Sequence, residues 1–246
     1  MSDFQYTRPS NFPPIIKNLL IINGLVYLVQ LLFDKQYGIS EKIMLWPIMP
    51  EKLHAMLVSE GVMSASQGFK PYQIATHMFA HSPTMFIHII FNMLALWMFG
   101  KILENVWGAK RFLLFYIMCG VGAAIFHLAI QYFRCEQLLH AVEADNLDAI
   151  RKYRGALSPA LGASGAVMGV MVAFAFLFPN TELYLMFLPI PIKAKWAILG
   201  YVAIDLFGGI NPSQGDNIAH FAHLGGAFTG FIIVYIWNKT NRKTLY

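Results

Sequence analysis

The chain is short of charge and of cysteine. Only 13% of its 246 residues are Asp, Glu, Lys or Arg, against roughly 25% in soluble domains, so a water-soluble globule of this composition would lack polar surface. Two cysteines, Cys119 and Cys135, lie in and just after one apolar run and form no disulfide framework; Cys119 reads as a small apolar packing residue. There is no internal repeat, no low-complexity tract and no His-Glu-x-x-His zinc pattern. A cleavable signal peptide is also missing from the reading. A dozen or so polar and proline-containing residues precede the first apolar run, and no small-residue cleavage site closes it.

What is present is apolar residue in blocks: 57% of the chain is hydrophobic. Spanning candidates fall at about Ile15–Phe33, Met85–Leu103, Phe112–Phe133, Ser158–Phe178, Lys195–Phe207 and Ile218–Trp237. Most approach the roughly 20 residues that cross about 30 Å of hydrocarbon. The fifth is short unless Leu183–Ile192, interrupted by Pro189 and Pro191, belongs to it. The expected fold is all-α: one polytopic bundle of six transmembrane helices spanning 1–246, with its core at about 72–237. An external segment at 34–84 is too broken by Pro47, Pro50 and Pro71 to span. It offers short interfacial helices at Leu53–Val58 and Tyr72–Phe79. A polar insert at 134–154 contains Glu136–Tyr153, whose apolar spacing predicts an external amphipathic helix.

The net charge of +5 fits topology better than nucleic acid. With a cytoplasmic N-terminus, ten of the 18 basic residues fall in the shorter inside segments, as the positive-inside rule expects. Both termini are then cytoplasmic.

Three pieces carry chemistry, on three different spans. In His88-Ile-Ile-Phe-Asn92 the histidine and the asparagine share a helical face and can donate to a developing oxyanion; equally, they can satisfy helix–helix hydrogen bonds. In Gly162-Ala-Ser164-Gly165-Ala-Val-Met168-Gly169 the serine is either a nucleophile or one member of a small-residue packing face. It is not the nucleophile elbow of soluble lipases, which needs a glycine where Ala166 stands. In Ala222-His223-Leu-Gly-Gly226-Ala-Phe-Thr-Gly230, residues 223, 226 and 230 share a face. Glycine-lined helices at 162–169 and 222–230 can pack backbone to backbone, bringing Ser164 and His223 within hydrogen-bond reach. His220, one turn earlier, competes for the role of base.

These motifs, in this order on separate spans, resemble the rhomboid intramembrane serine proteases, and Glu104–Phe112 resembles that family's turn after the second span. The likeness covers roughly Tyr72 to Trp237 and fits the bacterial type of six-helix core, which implies a bacterial inner membrane as the location. It implies Ser164 as nucleophile and His223 as general base, a dyad without an acidic third member. It also implies an oxyanion hole from His88, Asn92 and the Ser164 backbone N–H, and helix packing at the site through Gly162, Gly165, Gly169, Gly226 and Gly230. His223 is preferred to His220 because Gly226 and Gly230 follow it at the family spacing. Ser164, about seven residues into its run, is expected roughly 10 Å deep, with Gly208–Asn217 as a loop capping a wet cavity.

Three departures from the family pattern stand out: Tyr72-Gln73 where a Trp-Arg pair is usual, His81 two residues further from His88 than usual, and Met168 where an aromatic residue commonly supports the imidazole. The implied partners are transmembrane protein substrates and the lipid bilayer, with no cofactor, no metal and no nucleic acid. His77 and His81, four apart, read as structural or interfacial rather than metal-binding. His127 and His140 read as facing headgroups or the external helix. Asp205 is expected to cap backbone or pair with a polar neighbour, with a proton relay as the minority reading. The rival functions are a non-catalytic relative that binds membrane segments and a transporter using buried histidines.

Overall fold

Two prolines set where the first helix begins. Pro13 and Pro14 open helix α1 (Pro14–Tyr37), where a missing N–H and a fixed φ cost nothing. Gly38, with φ 58°, closes it by donating its N–H to the Asp34 carbonyl, a left-handed stop that glycine adopts without strain. The computed structural model describes residues 9–184, 190–210 and 220–240. Five more apolar helices follow: α2 (Phe86–Trp107), α3 (Ala109–Glu143), α4 (Ser164–Leu177), α5 (Ala194–Ile210) and α6 (His220–Thr240). Helices α1, α2, α3 and α6 are each long and apolar enough to cross a bilayer. The fold is a helical membrane bundle, and its exterior is apolar as lipid requires: Leu32, Phe133, Ile204 and Phe207 are each at least 65% exposed.

The interior is built where α3, α4 and α6 converge with α2 and the start of α1. Phe112, Phe115, Tyr116, Val170 and Leu96 are fully buried there. Helix α2 carries a π turn at Leu96–Gly100, and a Cβ on Gly100 would run into Ile16 of α1, so close approach explains that glycine. At the end of α2 the buried Glu104 carboxylate accepts the Ile15 and Ile16 N–H groups at 2.9 and 2.8 Å. It satisfies donors that have no partner within helix α1 and places a negative charge at the positive end of the helix.

The boundaries differ from expectation in instructive places. The third span does not end near Phe133; α3 runs 35 residues, about 52 Å at 1.5 Å per residue, so residues 134–143 of the polar insert belong to it. Beyond a break at 144–146, a separate helix covers Leu147–Tyr153, with Asn146 accepting the Ala149 N–H. The fourth span is not helical from Ser158. Ala160 pairs with Leu45 of the external segment through two backbone hydrogen bonds of 2.8 and 2.9 Å, and the helix starts only at Ser164. Leu183–Ile192 is not part of the fifth span: β1 (Glu182–Tyr184) pairs antiparallel with β2 (Pro191–Lys193).

Outside the bundle, Glu51–Ser59 is helical and leans its Leu53 on Cys135, Leu138 and Leu139 of α3. Gln73–Thr76 is helical and runs into a tight turn at His77–Phe79. A groove of about 740 Å³ opens beside helix α5, lined by Val172, Phe176, Leu199, Val202, Phe228 and Phe231.

Candidate active site

Glycine decides how closely α4 and α6 meet. A Cβ on Gly226 would collide with the Gly165 carbonyl, and one on Gly230 would lie 2.6 Å from Gly169 Cα. On its other side Gly165 faces Ala123 of α3, and Gly169 faces the buried Cys119. Both surfaces of α4 are therefore pinned backbone-close, and no larger residue fits. This seam sets the separation of the side chains at its upper end: Ser164 Oγ lies 2.8 Å from His223 Nε2. His223 is 7% exposed.

Ser164 is the first residue of α4, not a residue one turn or more inside it. Its N–H therefore belongs to the first turn, whose donors have no carbonyl partner within the helix and sit at the positive end of the helix dipole. Gly162 does not act in helix packing. It lies in the lead-in to α4 with φ 124°, a conformation open to little besides glycine. It donates its N–H to the His77 carbonyl at 2.9 Å. A Cβ there would stand 3.0 Å from the His88 ring and 3.5 Å from Ser164 Oγ. Gly162 is thus the floor between the serine and the imidazole of His88.

His88 and Asn92 share a face of α2, as their spacing requires. Asn92 is buried and donates one amide hydrogen to the His88 carbonyl at 3.0 Å, leaving its second N–H for another acceptor. The His81 and His88 rings are 5.3 Å apart. His77 and His81 do not share a helical face, because the turn ends at Phe79 and Ala80 is extended. Each instead meets backbone, His77 Nδ1 with Gln73 O at 2.9 Å and His81 Nδ1 with Phe79 O at 3.3 Å. Burial pushes both imidazoles down to about 4. His127 does not face headgroups: it is buried in the bundle. His140 lies beside Glu143, 3.7 Å away.

Asp205 pairs with polar neighbours, one of the two expectations for it, and those neighbours are histidines of α6. It is 2% exposed, and its carboxylate accepts from both competing histidines, His220 Nδ1 at 2.7 Å and His223 Nδ1 at 3.0 Å. The His223 ring thus stands between Ser164 Oγ and the buried Asp205 carboxylate. The preference for His223 over His220 has a geometric reason, since the His223 ring bridges the serine and the carboxylate. No aromatic residue follows Ser164 by one turn, yet an aromatic ring does approach His223: Tyr201 of α5, with ring centroids 6.4 Å apart. Tyr201 and Asp205 are i and i+4 on α5. An acid alone in an apolar helix was the available signal. The residues proposed to cap the site, 208–217, lie outside the described residues from 211 onward.

Comparison with known proteins agrees in region. The family model described as the rhomboid domain matches residues 68–240. The chain is 32% identical over 158 residues to Rhomboid protein 1, mitochondrial, of Saccharomyces cerevisiae, covering 64% of this chain and 39% of that protein. It is 31% identical over 159 residues to Presenilin-associated rhomboid-like protein A, mitochondrial, of Danio rerio, covering 62% and 36%. It is 26% identical over 225 residues to Rhomboid protease AarA of Providencia stuartii, covering 87% and 69%. The chain thus spans well under half the length of the Saccharomyces and Danio relatives.

Proposed function

The chain belongs to the rhomboid family, and from that premise we propose that it is an intramembrane serine protease. It would hydrolyse peptide bonds in or near the transmembrane segments of other membrane proteins. The observation that carries this reading is the 2.8 Å contact between Ser164 Oγ and His223 Nε2 across the α4–α6 seam. That distance lets a hydroxyl proton pass to an imidazole while the oxygen attacks a carbonyl.

On this reading Ser164 Oγ forms a bond to the substrate carbonyl carbon and its proton moves to His223 Nε2. The oxyanion is held by the Ser164 N–H, the free amide hydrogen of Asn92 and the His88 ring, groups that stabilise charge only as it develops. Collapse of the tetrahedral intermediate breaks the C–N bond, and His223 returns its proton to the leaving amine. Water then attacks the acyl-enzyme, with His223 again as base, and releases the acid product. A helical substrate keeps its carbonyls hydrogen-bonded. Segments with glycine or proline near the cut, which unwind easily, are therefore the expected substrates.

The proposed setting is a bacterial inner membrane, on the likeness to the bacterial six-helix type, with both termini cytoplasmic on the strength of the positive-inside bias. The names of the Saccharomyces and Danio relatives make a mitochondrial membrane the competing address. Fractionation of the native host decides between them.

The test of the activity is Ser164→Ala in reconstituted protein with a single-span substrate. Cleavage is expected to vanish while substrate binding persists, and a fluorophosphonate probe is expected to label the wild type alone. Undiminished cleavage by Ser164→Ala would overturn the assignment.

A further inference from the structure

Helix α5 brings one charged side chain into the bundle, and it brings it to a single place. Asp205 is the helix's only charged residue between Lys195 and its end at Ile210, and burying an unpaired carboxylate would be prohibitively costly. Two features of neighbouring sequence make the approach possible. Gly208 lies against the His220 ring, where a Cβ would come within 2.6 Å, and Gly209 lies against Phe221 at 3.1 Å. From α3, Arg134 donates to the Gly209 carbonyl at 2.5 Å and stacks over the Phe221 ring at 4.8 Å, placing a cation at the negative end of α5. The end of α5 is thereby drawn onto the start of α6, and the carboxylate reaches both histidines.

We propose that Asp205 is a positioning residue for the base His223, giving this chain a Ser–His–Asp array in place of a dyad. The inference rests on the protease reading above. A carboxylate carries no hydrogen, so a ring nitrogen 3.0 Å from it must be the protonated one. Asp205 therefore holds the neutral His223 with its hydrogen on Nδ1 and its lone pair on Nε2, facing the serine. When Nε2 takes the Ser164 proton, the imidazolium forms with its Nδ1–H still donated to Asp205. The carboxylate stays ionised throughout and offsets the new positive charge. His220, held on the same Oδ1 at 2.7 Å, fixes the rotamer of the carboxylate from the other side. Without this clamp the ring can reverse its tautomer and present an N–H to the serine, which cannot then lose its proton.

The test compares wild type, Ser164→Ala, Asp205→Asn and His223→Ala in the same reconstituted system. Asp205→Asn keeps the shape of the side chain. It is expected to lower kcat at least about 100-fold, with KM within about threefold and thermal unfolding little changed. Proton NMR of nitrogen-15 histidine-labelled wild-type protein supplies a readout that purely structural support would not move. The His223 Nδ1 proton, assigned by its loss in His223→Ala, is expected far downfield and absent from Asp205→Asn. If Asp205→Asn fails to fold, this wild-type resonance still decides, and its absence would overturn the proposal. So would cleavage by Asp205→Asn within about threefold of wild type. Where Ser164→Ala is inactive and Asp205→Asn is not, the positioning role alone fails; where Ser164→Ala still cleaves, the protease reading fails first.

Discussion

Helix α6 meets α4 and α5 by opposite means. Against α4 it presents Gly226 and Gly230, and the two backbones touch along a seam that no Cβ can enter. Against α5 it presents His220, Phe221 and His223, and the contact is made by side chains around one carboxylate. At its start α5 buries Ala194 and Ile198 in the main core, but much of the remainder faces outward: Trp196, Leu199, Ile204 and Phe207 are all more than half exposed, and the 740 Å³ groove separates its flank from α4 and α6. In a membrane, apolar surface gives helices little reason to associate with one another. Close packing of small residues and buried polar contacts must do it instead, and this molecule uses one on each side of α6. The first is rigid and sets a distance; the second is adjustable and sets an orientation.

The largest expected effect comes from breaking the seam. Gly226→Val pushes a branched side chain into the Gly165 carbonyl, and backbone cannot yield as a side chain can. Destabilisation of more than about 3 kcal/mol is expected, the upper range for overpacking, read as loss of folded protein in detergent unfolding. Next comes Gly162→Ala, in the lead-in to α4. There the φ of 124° and the His88 ring 3.0 Å from a new Cβ both resist the methyl group. Cleavage is expected to fall about 100-fold, the consequence of displacing reacting groups by about 1 Å, while the bundle stays folded. Gly209→Ala probes the other contact. Its Cβ would meet the far edge of the Phe221 ring at 3.1 Å, which can shift, and alanine favours the helix by up to about 1 kcal/mol. A net change within about 1 kcal/mol in unfolding free energy is expected. The smallest effect belongs to Ile204→Ala on the outer face of α5, where stability is expected to move by less than about 0.5 kcal/mol. A large loss there would mean that α5 packs against something besides this chain.

Much of the seam was legible because spacing encodes it. Glycines four apart at 165 and 169, and at 226 and 230, announce helix faces that tolerate close approach, and a serine and a histidine preceding them follow along. The place where α4 begins was not legible. Residues 158–163 are small and apolar, so hydropathy runs straight through them. Nothing local reveals that Ala160 is tied to Leu45, more than a hundred residues earlier. The length of α3 was misjudged for the reverse reason: hydropathy drops after Phe133 although helical spacing continues through Leu138, Leu139 and Val142. Asp205 stood out as a lone acid in an apolar helix, but its partners lie on another helix 15 and 18 residues away, and no periodicity links the two. The segment Glu104–Phe112 resembles a family turn, while the physical purpose of Glu104, capping the start of α1, appeared only in three dimensions.

The ten residues by which α3 continues past Phe133 stand about 15 Å tall, braced by Leu53 from one direction and by Ala156 from another. Its first residue, Arg134, donates to the Gly209 carbonyl at the end of α5. A force on the extension is therefore passed to the contact between α5 and α6.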